Sequence, residues 1–241
     1  MKLIFGTTEH MRNNMTHVLL KLDFSNAFNT VWRSAVLKAC YDNPSWRHLY
    51  RFLWCTLSPK SDTVGINNLS CEGMQQGDSA GSTGFCMALQ PLAKWADTQL
   101  RTAGGRAAFD MDDGYMYGPI DKVMQTVLEL QRRLKLEVGA SLQPNKCKLW
   151  CHREQRQRVR EYLQAHDGSG FTLGTVKLAC GRRAYGVKVS GVPFGDGDYV
   201  KHCMKQKVNV VVSQIKNITK RLQQHSAQNL FALLVQCLHC L

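Results

Sequence analysis

The chain is short of acidic residues. Its 241 residues contain 18 Asp and Glu against 31 Lys and Arg, which gives a formal net charge of +13. No acidic residue occurs in residues 201–241, a stretch that holds six Lys and Arg, and nine basic residues in 131–164 face only three glutamates. This excess, concentrated in the C-terminal half, favours a polyanionic partner; on charge alone, a solvated basic face explains it equally well.

Long apolar runs are missing as well. No stretch approaches the roughly 20 uncharged apolar residues of a membrane helix, and the apolar residues 3–5 are too few for the core of a signal peptide. Yet 44% of the residues are apolar, which excludes a disordered chain. The ten cysteines are scattered rather than clustered, so we expect reduced thiols and an intracellular location, in the nucleus or the cytoplasm.

The apolar pattern predicts alternating helices and strands. Residues 17–23 form an apolar run of strand length, and helical spacing follows over 32–41, 46–57 and 85–100. Two short strands over 107–111 and 115–117 are predicted to meet in a tight turn at residues 112–114. The remaining predictions are a hairpin over 63–72, helices over 121–134, 153–164 and 214–241, and strands over 146–150, 171–178 and 185–189. The predicted fold class is therefore α+β.

Three aspartates carry the candidate chemistry. Asp23 ends an apolar strand, and Asp112 and Asp113 stand in the predicted hairpin turn. If neighbouring strands bring these carboxylates together, their mutual repulsion favours a bound divalent cation, and Mg²⁺ prefers such oxygen ligands. The alternative is that Asp112-Asp113-Gly114 is only an Asp-Gly turn, as most isolated DDG tripeptides are.

The order of the sequence blocks carries more information than any single block. Residues 23–29 (DFSNAFN), 73–78 (GMQQGD) and 111–113 (MDD) resemble motifs A, B and C of reverse transcriptases. Residues 139–147 (GASLQPNKC) resemble motif D, and residues 189–194 (VSGVPF) resemble motif E, the primer grip. The resemblance spans roughly residues 6–200 and is strongest to the polymerases of cellular non-LTR retroelements.

This resemblance implies a polymerase palm, in which an antiparallel sheet with a ferredoxin-like or RRM-like core is backed by helices and followed by the start of a helical thumb. Residues 1–16 correspond to a remnant of the fingers, residues 17–200 to the palm with motifs A to E, and residues 201–241 to a truncated thumb. The missing fingers and thumb segments, or an endonuclease domain, are expected in a full-length element.

The resemblance also assigns site residues. It makes Asp23 and Asp112 the main ligands of two Mg²⁺ ions, with Mn²⁺ as a substitute, Asp113 a supporting carboxylate and the backbone carbonyl of Phe24 a further ligand. Lys146 matches the family's candidate proton donor to the departing pyrophosphate. The primer grip maps onto Gly191, Val192 and Pro193.

The substrate pocket is assigned in the same way. Phe28 falls on the steric gate, where a bulky ring disfavours a 2′-hydroxyl and selects deoxynucleotides. Gln76 and Gly77 correspond to residues that pack against the nucleotide and the templating base. The implied partners are an RNA template, a DNA primer and a dNTP, with no membrane.

The implied reaction adds dNMP to a primer 3′-hydroxyl by a two-metal mechanism, and we expect it to be weak or absent in so short a chain. Asp110 stands where the family has Tyr or Phe, a candidate inactivating change, and Ser79 and Ser82 replace common prolines. Two alternatives stay open. One is a degenerate palm that only binds nucleic acid; the other is an RNA-dependent RNA polymerase, which Phe28 argues against.

Overall fold

The computed structural model describes residues 2–58, 61–62, 69–70, 72–74, 79–166, 170–222, 231 and 235. Its α-helices are α1 (Lys2–Asn13), α2 (Ala27–Thr30), α3 (Arg33–Asp42), α4 (Tyr50–Leu57), α5 (Ser79–Arg101), α6 (Ile120–Arg133), α7 (Arg156–Ala165) and α8 (Gly197–Leu222). Its strands are β1 (Val18–Ser25), β2 (Ser61–Asp62), β3 (Leu69–Ser70), β4 (Arg106–Asp110), β5 (Asp113–Gly118), β6 (Ser141–Leu142), β7 (Lys148–Cys151), β8 (Thr172–Leu173), β9 (Thr175–Lys177), β10 (Arg183–Val189) and β11 (Val192–Gly195). Short 3₁₀ turns at Arg47–Leu49 and Arg153–Gln155 and a π-helical turn at Leu134–Val138 are also present.

The central sheet has the strand order β4-β5-β1-β7-β8, with β6 paired to the end of β1. All its pairings are antiparallel except β7 with β8. Helices precede β4, and α6 lies between β5 and β7, so the core reads βαββαβ with β1 in the middle of the sheet. This is the ferredoxin-like arrangement, and it confirms the predicted α+β fold.

Strand β1 separates two layers because its side chains alternate between the faces of the sheet. Leu20 and Leu22 point into the main core, where helices α5 and α6 contribute further buried side chains. On the other face Leu19 belongs to a smaller buried cluster, and the half-buried Lys21 and Asp23 follow it. Lys21 and Asp23 are therefore available to a site on the side away from the helices.

The second face of the sheet is covered in part by a three-stranded sheet of order β11-β10-β9. Val187 and Val189 of β10 pack there with Leu19, Tyr115 and Trp150. Strands β10 and β11 are joined by a two-residue turn, with Ser190 at φ 45° and Gly191 at φ 78°. Positive φ at both positions is typical of a type I′ hairpin turn, which matches the twist of the flanking strands.

Most predicted elements are present, with three differences. The tight turn lies at Met111-Asp112 rather than at residues 112–114, because Asp110 pairs directly with Asp113 in the β4–β5 ladder. Helix α8 begins at Gly197, well before the predicted helix over 214–241, of which residues 223–230, 232–234 and 236–241 lie outside the described residues. Of the predicted hairpin over 63–72, residues 63–68 and 71 lie outside the described residues; β2 and β3 pair on either side of 63–68.

Within the described residues, no helix is both long enough and apolar enough to span a membrane.

Candidate active site

Three aspartates lie in one row across the central sheet. In the antiparallel ladders Asp23 of β1 stands opposite Asp113 of β5, and Asp113 stands opposite Asp110 of β4. Residues directly opposite each other share a face, with Cβ atoms about 4.5–5.5 Å apart. We call Asp23, Asp113 and Asp110 the carboxylate row. It lies on the face away from helices α5 and α6, so its charges are not buried in the main core.

Asp112 extends this row at the tip of the β4–β5 hairpin. Its neighbour Met111 adopts φ 54°, and both residues are exposed. A left-handed conformation is unfavourable for methionine, and strain of this kind is found mainly at functional positions. Cys86 of α5 lies next to the turn: burial, followed by the charges of Asp110 and Asp112, raises the pKa of its thiol. Negative charge is therefore concentrated where the hairpin meets α5.

Lys21 places a cation beside the row. Its Nζ lies 3.1 Å from Oδ1 of Asp113, and both side chains are partly exposed. Burial tends to lower the pKa of Lys21, but the hydrogen bond to Asp113 and the charges of Asp113 and Asp23 outweigh it, so its pKa is raised. Lys21 therefore stays protonated and offsets part of the repulsion between Asp23 and Asp113.

The end of β1 is fixed by the predicted motif D segment. The backbone N–H of Asp23 donates to Sγ of Cys147 at 3.3 Å, and its carbonyl accepts the backbone N–H of Gln143 at 2.8 Å. Burial raises the pKa of the Cys147 thiol to about 11, so it stays neutral. Phe24 pairs with Leu142 in the β1–β6 ladder. The backbone around the first aspartate is thereby held on both sides.

Phe28 is oriented by two other aromatic rings. Its ring centroid lies 5.2 Å from that of Phe85, which in turn meets Phe24 edge-on at 5.8 Å. Phe28 itself is half-buried, one turn after β1. Its carbonyl accepts the backbone N–H of Met74 at 2.7 Å. Gly73 has φ +75°, and a Cβ at this position would lie 2.3 Å from the carbonyl oxygen of Asn29. Only glycine allows the start of motif B to approach motif A this closely.

The turn between β10 and β11 reaches the same face of the sheet. The backbone N–H of Ser190 donates to the hydroxyl of Tyr115 at 2.6 Å. Tyr115 is on β5, two residues after Asp113, and points to the same side. Val192 is 45% exposed, and the space beside Gly191 is open. The residues predicted to form the primer grip therefore project beside the carboxylate row.

Comparison with known proteins identifies the family of the chain. The model of the family described as reverse transcriptase (RNA-dependent DNA polymerase) matches residues 2–194. The chain belongs to the reverse transcriptase family. No curated protein matches it. Among solved structures, a telomerase from Candida albicans in complex with a TWJ fragment of telomeric RNA is 14% identical, with a TM-score of 0.45, over 61% of this chain and 30% of that one. An apo telomerase from Candida tropicalis, truncated from its C-terminal domain, is also 14% identical, with a TM-score of 0.44, over 61% of this chain and 34% of that one. The chain thus spans about a third of the length of these neighbours.

Reverse transcriptases catalyse template-directed nucleotidyl transfer and generally use divalent metal. The carboxylate oxygens of this chain are donors that suit a hard cation such as Mg²⁺. Asp23 and Asp113 are neighbours, and Asp112 makes no hydrogen bond or ion pair with any described residue. In the described ranges, no three His, Cys, Asp or Glu side chains come together as a metal-binding group. The carboxylate donors fit a divalent metal ion. In the structure Asp113 contacts the ammonium group of Lys21.

The other predicted site residues of this reverse transcriptase chain are spread around the row. Lys146 is exposed in the turn before β7, and its backbone N–H donates to the carbonyl of Gln143 at 2.9 Å. This turn follows β6, which pairs with the end of β1. Pro193 pairs with Lys188 next to the Ser190-Gly191 turn, which we call the grip turn. Gln76 and Gly77 lie outside the described residues.

Two residues of the site were missed in the sequence. Lys21 lies on the same face as Asp23, and strand alternation alone is a signal that could have found it. Tyr115 contacts Ser190 across 75 residues of sequence. No local pattern identifies that contact, because it depends on how the two sheets pack.

Proposed function

We propose that this chain is the palm of an RNA-directed DNA polymerase, adding dNMP to the 3′-hydroxyl of a DNA primer on an RNA template. The observation that carries the proposal is the carboxylate row beside the grip turn, linked to it by the hydrogen bond between Tyr115 and Ser190. Membership of the reverse transcriptase family supports the reaction class.

The proposed reaction is an in-line displacement. The primer 3′-hydroxyl loses its proton to solvent as its oxygen bonds to the α-phosphorus of the dNTP, the bond from that phosphorus to the bridging oxygen breaks, and pyrophosphate leaves. Asp23, Asp112, Asp113 and the carbonyl of Phe24 would hold two Mg²⁺ ions, for which Mn²⁺ could substitute. When bound, such ions neutralise charge that develops on the phosphates and on the attacking oxygen.

The side chains around the row position the substrates. Phe28, held by Phe85, faces the sugar of the incoming nucleotide and disfavours a 2′-hydroxyl. The grip residues Gly191, Val192 and Pro193 hold the primer end. Lys146 donates a proton to pyrophosphate, a role that suits an exposed lysine in the turn after motif D. Gln76 and Gly77 pack against the nucleotide and the templating base.

The finer assignments belong to the same proposal. Residues 1–16 are the last part of the fingers, residues 17–200 are the palm, and residues from 201 onward begin the thumb. The DFSNAFN and QQGD strings support a polymerase of the non-LTR retroelement type. In this proposal it works inside the cell, in the nucleus or the cytoplasm. The full-length element has further fingers, thumb or endonuclease segments.

A second candidate is a palm that binds nucleic acid without catalysis. Two observations favour it: Asp110 adds a third negative charge opposite Asp113, and Lys21 already pairs with Asp113. The Lys21 ammonium competes with a divalent cation for Asp113. Asp110 stands where the family has Tyr or Phe, which changes the surroundings of the candidate ligands.

The two candidates differ in template-directed synthesis. The purified chain is incubated with an RNA template annealed to a DNA primer, the four dNTPs, and either Mg²⁺, Mn²⁺ or EDTA. The polymerase proposal expects metal-dependent extension, weak in a chain of this length, whose product follows the template. Binding of the hybrid without extension in any metal favours the degenerate palm, and extension with rNTPs in preference to dNTPs favours an RNA polymerase.

A further inference from the structure

An open groove lies at the edge of the central sheet, outside the carboxylate row. Its volume is about 660 Å³. Strands β7, β8, β9 and β10 and helix α7 form its walls. The polar side chains that line it include Lys148, Arg160, Arg183, Thr172, Thr175 and Tyr185. We call it the basic groove.

Two cations of the basic groove contact neutral side chains. No Asp or Glu is among the described residues that line it. Arg160 donates to the hydroxyl of Tyr185 and lies over its ring at 5.6 Å, and Lys148 donates to the hydroxyl of Thr172 at 2.8 Å. These neutral partners orient the cations and leave their charge available to a ligand.

A like-charge pair at the rim points the same way. Arg183 stands directly opposite Lys177 in the β9–β10 ladder, and both are exposed. Like charges in directly opposed positions destabilise a sheet. Asp196, whose backbone N–H donates to the carbonyl of Tyr185 on β10, is engaged by Arg156. In the described part of the chain neither Lys177 nor Arg183 has an ion-pair partner, so an external anion is the group that would relieve their repulsion.

The basic groove is continuous with the carboxylate row. In the ladders Lys21 stands opposite Lys148, which stands opposite Thr172 of the edge strand β8. Lys21 also contacts Asp113. A line of polar side chains thus runs from the candidate active site across the sheet to the groove on a single face.

We propose that the basic groove binds the phosphate backbone of a single nucleic-acid strand, as a second anionic site beyond the carboxylate row. Cations spread over β7, α7 and β10, with no helix N-terminus among them, suit successive phosphates of one strand better than one small anion. The proposal rests on the proposed function only for the direction in which the strand continues, toward the carboxylate row.

The test compares two double variants of the full chain. Lys177→Gln with Arg183→Gln removes the like-charge pair of the groove. The control, Lys94→Gln with Lys135→Gln, removes two exposed cations from the helical layer on the opposite side. The net charge therefore changes by the same amount in both double variants. Binding of a fluorescein-labelled oligouridylate is followed by fluorescence anisotropy over a range of salt concentrations. EDTA is present throughout, so the measurement is independent of catalysis.

The groove variant is expected to bind RNA about tenfold more weakly at low salt, and its salt slope is expected to fall by about 1 for each phosphate that it no longer neutralises. The control variant should stay within about twofold of the unmodified chain. Equal affinity of the two variants overturns the proposal. Inorganic phosphate or polyglutamate displacing the RNA at a matched charge concentration also overturns it, because the site is then a general anion sink.

A second measurement does not depend on variant folding. RNA containing 4-thiouridine is photocrosslinked to the unmodified chain, and the attached peptide is identified by mass spectrometry. Attachment to Tyr185 or to peptides of β8 and α7 supports the proposal, and attachment confined to the peptides of β1 and β5 contradicts it. If the unmodified chain gives these crosslinks but no primer extension, the proposed catalysis is refuted and the proposal for the basic groove stands.

Discussion

The hydroxyl of Tyr115 accepts a 2.6 Å hydrogen bond from the backbone N–H of Ser190, and this bond connects the strand of the carboxylates to the turn of the grip. Burial raises the pKa of Tyr115, so the phenol is neutral at physiological pH. Ser190 has the unfavourable φ of 45°, and the hydrogen bond to Tyr115 helps to hold it there. This contact adds a specific hydrogen bond to the apolar packing of Val187 and Val189 between the two sheets.

Tyr115→Phe removes this acceptor and keeps the ring. We expect it to lower the free energy of unfolding by about 1–2 kcal/mol, since a largely desolvated N–H loses its partner. Primer extension should show a raised KM for the primer-template. Urea denaturation and steady-state extension measure the two effects. Tyr117→Phe is the control, because the Tyr117 hydroxyl makes no hydrogen bond among the described residues; equal losses in the two variants would refute the link.

Phe28→Ala opens the space that Phe28 and Phe85 fill together. We expect ribonucleotide incorporation relative to deoxynucleotide incorporation to rise about tenfold or more, because a steric pocket discriminates by excluding the larger sugar. Single-nucleotide incorporation with dNTP and rNTP in parallel measures the ratio. Val31→Ala, a core truncation in the same segment, controls for general loosening. An unchanged ratio in Phe28→Ala would exclude the steric-gate role.

Asp110→Asn removes one charge from the carboxylate row. Because Asp110 stands opposite Asp113, we expect the free energy of unfolding in EDTA to rise by about 0.2–1 kcal/mol. Asp42→Asn, which breaks the exposed pair with Lys38, is expected instead to lower it by up to about 0.5 kcal/mol. Urea denaturation of both variants measures these two changes in the free energy of unfolding. A loss of stability in Asp110→Asn would mean that this aspartate has a stabilising contact the ladder does not reveal.

Acid should destabilise the attachment of helix α1. Nε2 of His10 lies 2.8 Å from Nδ1 of His17. Burial lowers the pKa of both rings below the usual 6.5, and the charges of His17 and Arg106 lower that of His10 further. The unfolded chain therefore binds these protons more readily than the folded chain. Stability is then complete above pH 6.5 and falls as the pH drops toward the lowered values.

The measurement is urea denaturation at about pH 7.5 and about pH 5.5. The unmodified chain is expected to lose stability between them, and His17→Gln is expected to lose less. His166→Gln, at an exposed position bonded to the carbonyl of Tyr162, should keep the full loss. A pH dependence that is the same in all three proteins would rule out the histidine pair as its origin.

The extent to which the sequence predicts this molecule depends on the range of each interaction. The run ending in Asp23 predicts β1 and its two faces, because strand alternation is local. The predicted turn at residues 112–114 lies one residue too far along the chain. Asp112-Asp113-Gly114 has turn chemistry, whereas methionine rarely adopts the positive φ that Met111 has. The contact of Tyr115 with Ser190 depends on packing between two sheets and has no local signal.

The most direct test of the proposed function is primer extension by Asp112→Asn. This substitution keeps the size of the side chain and removes one proposed ligand at the hairpin tip. With Asp42→Asn as the control of equal charge change, extension by Asp112→Asn should fall at least about a hundredfold. Binding of the primer-template should stay within about twofold of the unmodified chain, because base and phosphate contacts lie elsewhere. Extension at the same rate by Asp112→Asn and Asp42→Asn would contradict the account.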